Sequence, residues 1–159
     1  MKFTHLTGLF FLIILISCSS QKSRTDVDVS GIEIREIEIN RYEEALFAID
    51  PDSLRQGLKK IDPRYEIFLG PEWDTPRNLT QLKAYITDPK IRELYHDTKE
   101  KYPDLNFLSR ELTKAFQHYK YYYPEKEIPA VYSYVSGLHY EHPVEYGKQV
   151  LIIGLDNYL

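Results

Sequence analysis

The sequence predicts an α+β fold: a mostly helical N-terminal region packed on a small β-sheet that includes a C-terminal hairpin. Three observations carry this expectation. Two apolar runs, Ile128 to Tyr140 and Gln149 to Leu159, flank a polar connection that contains Pro143 and Gly147, the pattern of a hairpin with a long loop. Three Asp-Pro pairs, at Asp50-Pro51, Asp62-Pro63 and Asp88-Pro89, each precede a helix-like pattern. From Asp104 to Tyr122, the residues Leu108, Leu112, Ala115, Phe116 and Tyr119 recur at three- and four-residue spacing and mark one buried helical face.

The chain opens on a segment that lies outside this fold. Lys2 supplies a positive end, and Leu6 to Ile16 form an apolar core shorter than the ~20 residues that span a bilayer. The run closes on Leu15-Ile16-Ser17-Cys18, the pattern of a bacterial lipobox. A small residue before the cut suits the signal peptidase, and the Cys18 thiol takes up a diacylglycerol. The sequence holds one cysteine, so no intrachain disulfide forms, and that cysteine stands where lipidation needs it. Residues 1–17 are therefore expected to be a signal peptide. Their removal takes away Lys2 and no acidic residue, so the net charge moves from −4 to −5. Acyl chains on Cys18, palmitate among them, would make membrane lipid a partner, at ~0.8 kcal/mol per buried methylene. Ser19 follows the cysteine in place of the aspartate of an inner-membrane retention signal, which favours the outer membrane of the cell envelope. Residues 18–30 are polar apart from Val27 and Val29 and read as a flexible tether. Residues 31–159 are expected to form one α+β domain, incomplete at its C-terminus.

The segment Gly31 to Ile39 alternates apolar and charged residues, as a half-buried strand does. Ile32 and Ile34 share one phase, Ile37 and Ile39 the other. A bulge at Arg35-Glu36 would return both pairs to one face; two short separate strands are the alternative. Helices are expected at about 41–49, 52–61, 63–69, 78–86 and 89–101. Asp-Pro pairs suit helix starts because aspartate accepts from free N–H groups and proline lacks the N–H that would be unpaired there. Asn40 and Asn78 are the expected caps of the first and fourth. The loop from Gly70 to Pro76 holds the only tryptophan, Trp73, which either pins the loop to the core or faces a ligand. The helix from Asp104 ends at Pro124, and Tyr121, Tyr122 and Tyr123 near its end are a candidate carbohydrate-stacking tract; helical spacing argues for packing and rim positions instead. Val150 to Ile153 is a continuous apolar run that suits a strand covered on both faces.

The chemistry-bearing residues form no catalytic motif. There is no basic run, which argues against nucleic acid as a partner. No Gly-rich phosphate loop and no Gly-x-Ser-x-Gly elbow is present. A helical zinc site needs His-Glu-x-x-His, and the chain has His139-Tyr-Glu-His142 instead. Residues three apart point to opposite faces of a strand, so these histidines would converge only in a loop. Asp156 follows the last apolar run, where catalytic acids often stand, and equally suits capping of the element after it. No catalytic residue, cofactor or metal is read from the sequence.

Several segments, taken in order, resemble the gliding-motility lipoprotein GldB family. They are the lipobox; Ile37-Glu-Ile39 leading to Arg41-Tyr42; Asp88 to Tyr95; Tyr102-Pro-Asp-Leu105; Leu112 to Pro124; Ile128 to Tyr132; Ser136-Gly137; and Ile153 to Leu159. The resemblance implies a membrane-anchored, non-enzymatic accessory of the gliding machinery, with envelope or gliding-machinery proteins as partners. Ile153 to Leu159 is also similar to the segment before the metal helix of zincin-like lipoproteins. That likeness implies one alternative, a truncated zincin-like scaffold that is the N-terminal half of a hydrolase; the aromatic residues Trp73 and Tyr121 to Tyr123 give another, a glycan-binding lipoprotein.

Overall fold

The computed structural model describes residues 27–159. The signal segment, Cys18 and the first part of the tether lie outside the described residues. The described chain is a mostly helical region packed on a four-stranded mixed sheet. The strands are β1 (Ile39–Arg41), β2 (Ala130–Tyr134), β3 (Val144–Gly147) and β4 (Val150–Gly154), in spatial order β1-β2-β4-β3. The helices are α1 (Tyr42–Phe47), α2 (Leu54–Leu69), α3 (Pro76–Thr87), α4 (Pro89–Lys101) and α5 (Asn106–Tyr122).

The two apolar runs do not pair as the two arms of a hairpin. β2 and β4 lie side by side in parallel, with Val131 opposite Leu151 and Ser133 opposite Ile153. β1 also runs parallel to β2. The C-terminal hairpin is real but is made by β3 and β4, which are antiparallel and joined by Lys148 and Gln149. Both turn residues take positive φ, 49° and 62°, as a two-residue turn that follows strand twist requires.

The Asp-Pro pairs divide by context. Asp88 accepts from the N–H groups of Lys90 and Ile91 and caps α4. Asp50 accepts from the Asp52 N–H and opens a short 3-10 turn, Pro51–Ser53, that leads into α2. Asp62-Pro63 starts nothing: Pro63 lies inside α2, and the helix kinks at Tyr65, where φ is −122°. The expected pair of helices at 52–61 and 63–69 is present as two helical stretches of α2, but they divide at the Tyr65 kink and not at Asp62-Pro63. The two expected asparagine caps also fail. Asn40 donates to the Val131 carbonyl, and Arg41 stands at the start of α1 with no side-chain cap. The cap of α3 is Thr75, whose side chain accepts the Asn78 N–H.

The isoleucine segment before β1 keeps its pattern and loses its ladder. Ile37 is buried, Ile32, Ile34 and Ile39 are half-buried, and Arg35 and Glu36 are exposed, so the phase break falls where the sequence places it. Only Ile39–Arg41 pairs as a strand. Upstream, the backbone is held by side chains of α5: Thr113 accepts the Ile37 N–H, Ser109 donates to the Ile37 carbonyl, and Gln117 donates to the Ile32 carbonyl.

Two cores result. On one side, Tyr42, Leu46, Leu54, Leu58, Tyr65 and Ile86 pack together, with Tyr132 and Tyr134 of β2 against them. On the other, Ile37, Val131, Ile153 and Leu155 pack with Leu108, Leu112 and Phe116 of α5. Each buried leucine or isoleucine contributes about 1.5–3 kcal/mol. The second core is less fully covered. No residue of α5 is fully buried, and Ala115, expected on its buried face, is exposed. An apolar cleft of about 480 Å³ opens between α5 and the sheet, lined by Leu105, Phe107, Leu112, Val144 and Leu151 among others. Of the strand expected to be covered on both faces, Leu151 on the cleft side and Val150 and Ile152 on the other face are only half-buried, while Ile153 is buried.

Candidate functional site

The carboxyl ends of β1, β2 and β4 point the same way, and in parallel sheets that end is where ligand crevices form. Polar residues gather there. Glu43, in the first turn of α1, is 1 % exposed. One of its carboxylate oxygens accepts from Arg41 Nε at 2.7 Å and the other from Ser133 Oγ at 2.9 Å. Burial pushes the Glu43 carboxyl above the ordinary glutamate range, against the pull of Arg41 and Ser133. Arg41 also pairs with Glu44 at 3.1 Å.

Asp156 forms the second cluster and is 1 % exposed. Its Oδ1 accepts the Ser136 N–H at 2.7 Å, and its Oδ2 accepts the Leu138 N–H at 2.7 Å and the Ser136 hydroxyl at 3.0 Å. Capping of the 3-10 turn Leu155–Tyr158 is not its role, contrary to the sequence reading; the carboxylate instead fixes the loop after β2. Gly137 and Leu138 in that loop both have positive φ, 76° and 64°. Beside them the Tyr85 hydroxyl donates to the Val135 carbonyl at 2.6 Å.

Two clefts with shared walls lie beside Glu43 and Ser136. One, of about 230 Å³, is lined by Tyr42, Glu43, Phe47, Tyr85, Tyr134 and Ser136 among others. Its neighbour, of about 310 Å³, is lined by Tyr42, Phe68, Trp73, Asn78, Gln81 and Tyr85 among others. Tyr42 and Tyr85 belong to both walls.

Trp73 is half-buried, packs against the first core and faces the larger cleft, so it serves packing and lines a cavity at once. Tyr121, Tyr122 and Tyr123 are exposed at the end of α5, and none of them lines that cleft. The rings of Tyr121 and Tyr122 meet edge to face at 5.1 Å, and Tyr123 packs on Tyr119 at 5.4 Å. His139 and His142 do converge in the loop before β3, with ring centroids 5.3 Å apart, and both are exposed. Among the described residues, no group of three or more His, Cys, Asp or Glu is placed to hold a metal ion. No helix among them is long and apolar enough to cross a membrane.

Sequence reasoning missed Glu43, Tyr42 and Tyr85. A signal for Glu43 was present: it sits three residues before Leu46 and beside Tyr42, both buried, so helical spacing places it on the inner side of α1.

A search of curated proteins and a search of solved structures found no match. A family model described as gliding motility protein GldB matches residues 22–159, which takes in every described residue. The likeness therefore runs through both cores, the buried Glu43 and Asp156 clusters and the paired clefts: this chain belongs to the GldB gliding motility family.

Proposed function

We propose that the chain is a lipid-anchored envelope protein that serves the gliding machinery through contacts with other proteins and not through catalysis. The observation that carries this reading is the family match over residues 22–159. The lipobox ending in Cys18 supports the anchor, and Ser19 supports the outer membrane. In this reading residues 1–17 are the signal, 18–30 the tether and 31–159 the folded domain.

The geometry supports the non-catalytic part. Glu43 and Asp156 stand where the acids of a parallel-sheet enzyme would stand, yet each has both carboxylate oxygens committed to bonds that hold the fold. Deletion of the gene in a gliding host should abolish colony spreading while leaving growth intact. Normal spreading of the deletion strain would refute the reading.

A further inference from the structure

Tyr42 is 7 % exposed, yet among the described residues its hydroxyl has no hydrogen-bond partner. It is also absent from the polar atoms sealed away without a partner, so the hydroxyl keeps an opening to the clefts that Tyr42 lines. A hydroxyl that opens to the cleft with no partner in the protein is free to bond a ligand there. Burial holds this phenol well above its ordinary ionisation range, so it is neutral and offers both a donor and an acceptor.

The rest of the larger cleft narrows what that partner can be. No residue lining it is charged. Phosphates, carboxylates and metal ions need ionic partners and are disfavoured there. The walls are aromatic: Tyr42 is stacked on Phe68 at 4.2 Å, and the rings of Trp73 and Tyr85 complete them. The remaining polar groups are neutral amides. Asn78 donates its Nδ2 to the Glu72 carbonyl at 2.7 Å, which fixes the orientation of its Oδ1, and Gln81 is exposed at the mouth. Flat apolar faces edged by uncharged donors and acceptors suit a ligand of the same build, with apolar C–H faces and hydroxyl edges.

We propose that the cleft between α2 and α3 binds an uncharged saccharide, with a pyranose face against Trp73 and a sugar hydroxyl bonded to Tyr42. The proposal moves carbohydrate recognition away from the exposed Tyr121–Tyr123 tract. It stands independently of the accessory-lipoprotein reading, which survives if this site proves empty.

Trp73 is the only tryptophan, so the fluorescence of the full-length chain in detergent micelles reports on this cleft directly. Titration with chitotriose and with cellotriose should give a saturable change in emission with at least one of them; whichever binds supports the site and tells whether an acetamido group is required. Tyr42→Phe keeps the ring and removes the hydroxyl, and should weaken binding about tenfold, the equivalent of one lost hydrogen bond, with an unchanged melting midpoint. The proposal is overturned if neither trisaccharide gives a saturable response, if indole alone does, or if Tyr42→Phe binds as tightly as the parent.

Discussion

The carboxylate of Asp156 accepts the backbone N–H of Leu138 at 2.7 Å and so holds a leucine at a φ of 64°. A non-glycine residue in the left-handed region costs of order 1–3 kcal/mol and persists only where its surroundings fix it. Three hydrogen bonds from the Ser136–Leu138 loop to one charged acceptor supply that restraint. Asp156→Ala should therefore destabilise the protein by about 3 kcal/mol, since bonds to a charged group are worth about 1.5–3 kcal/mol each and do not add fully. Asp156→Asn keeps one acceptor and should cost less. Urea denaturation measures both; a loss under about 1 kcal/mol for the alanine variant would show that the loop holds itself.

Glu43 predicts a pH dependence with a definite sign. Its carboxyl is raised in the folded state by burial, so the folded protein binds a proton more readily than the unfolded chain. Stability from this group is then present at low pH and falls as pH rises from the ordinary glutamate range through the raised value. Glu43→Gln should flatten that decline while leaving Ser133 an acceptor. Melting midpoints from acid to neutral pH test it, and an unchanged slope in the variant would contradict the assignment.

Gly57 in α2 lies against Ile49, and a Cβ placed there would come 2.3 Å from Ile49 Cγ2. Alanine normally gains ~1 kcal/mol over glycine in a helix. Overpacking of this kind costs about 1–3 kcal/mol. Gly57→Ala should therefore be destabilising on balance, and a companion Ile49→Ala should relieve it. A stabilised Gly57→Ala protein in thermal melts would show that Ile49 moves aside at little cost.

The cleft beside α5 leaves Phe107 69 % exposed, next to half-buried Leu112 and Leu151. Contiguous apolar surface binds hydrophobic dyes and promotes association. Phe107→Glu should lower dye fluorescence and self-association and shift the melting midpoint little, because so little of the ring is buried. Dye binding equal to that of the parent would place the exposed apolar surface elsewhere.

What the sequence revealed and what it hid follow from how local each signal is. Asp88-Pro89 starts α4 as expected because capping needs only neighbouring backbone. The same dipeptide at Asp62-Pro63 falls inside α2, where the apolar contacts of Leu58 and Tyr65 carry the helix through a kink. Apolar runs mark β2 and β4 but carry no direction, so their parallel pairing could not be read. The true hairpin turn is Lys148-Gln149, which lacks the Asn-Gly or Asp-Gly pattern that flags such turns. Trp73 was picked out for its loop, and its place on a cleft wall depends on Tyr42, far away in sequence. Glu43 stayed hidden because a charged residue reads as solvated unless its distant partner Ser133 is known, and Asp156, picked out for its place after the last strand, was assigned to capping because its partners in the Ser136–Leu138 loop are distant in sequence.

The most direct test of the account complements a deletion strain of a gliding host with the wild-type gene, Cys18→Ala and Glu43→Gln, and measures colony spreading at matched protein abundance. A lipid-anchored protein that acts by contact predicts that Cys18→Ala fails to restore spreading and that Glu43→Gln restores it. Full spreading with Cys18→Ala, or none with a stably folded Glu43→Gln, would contradict the account.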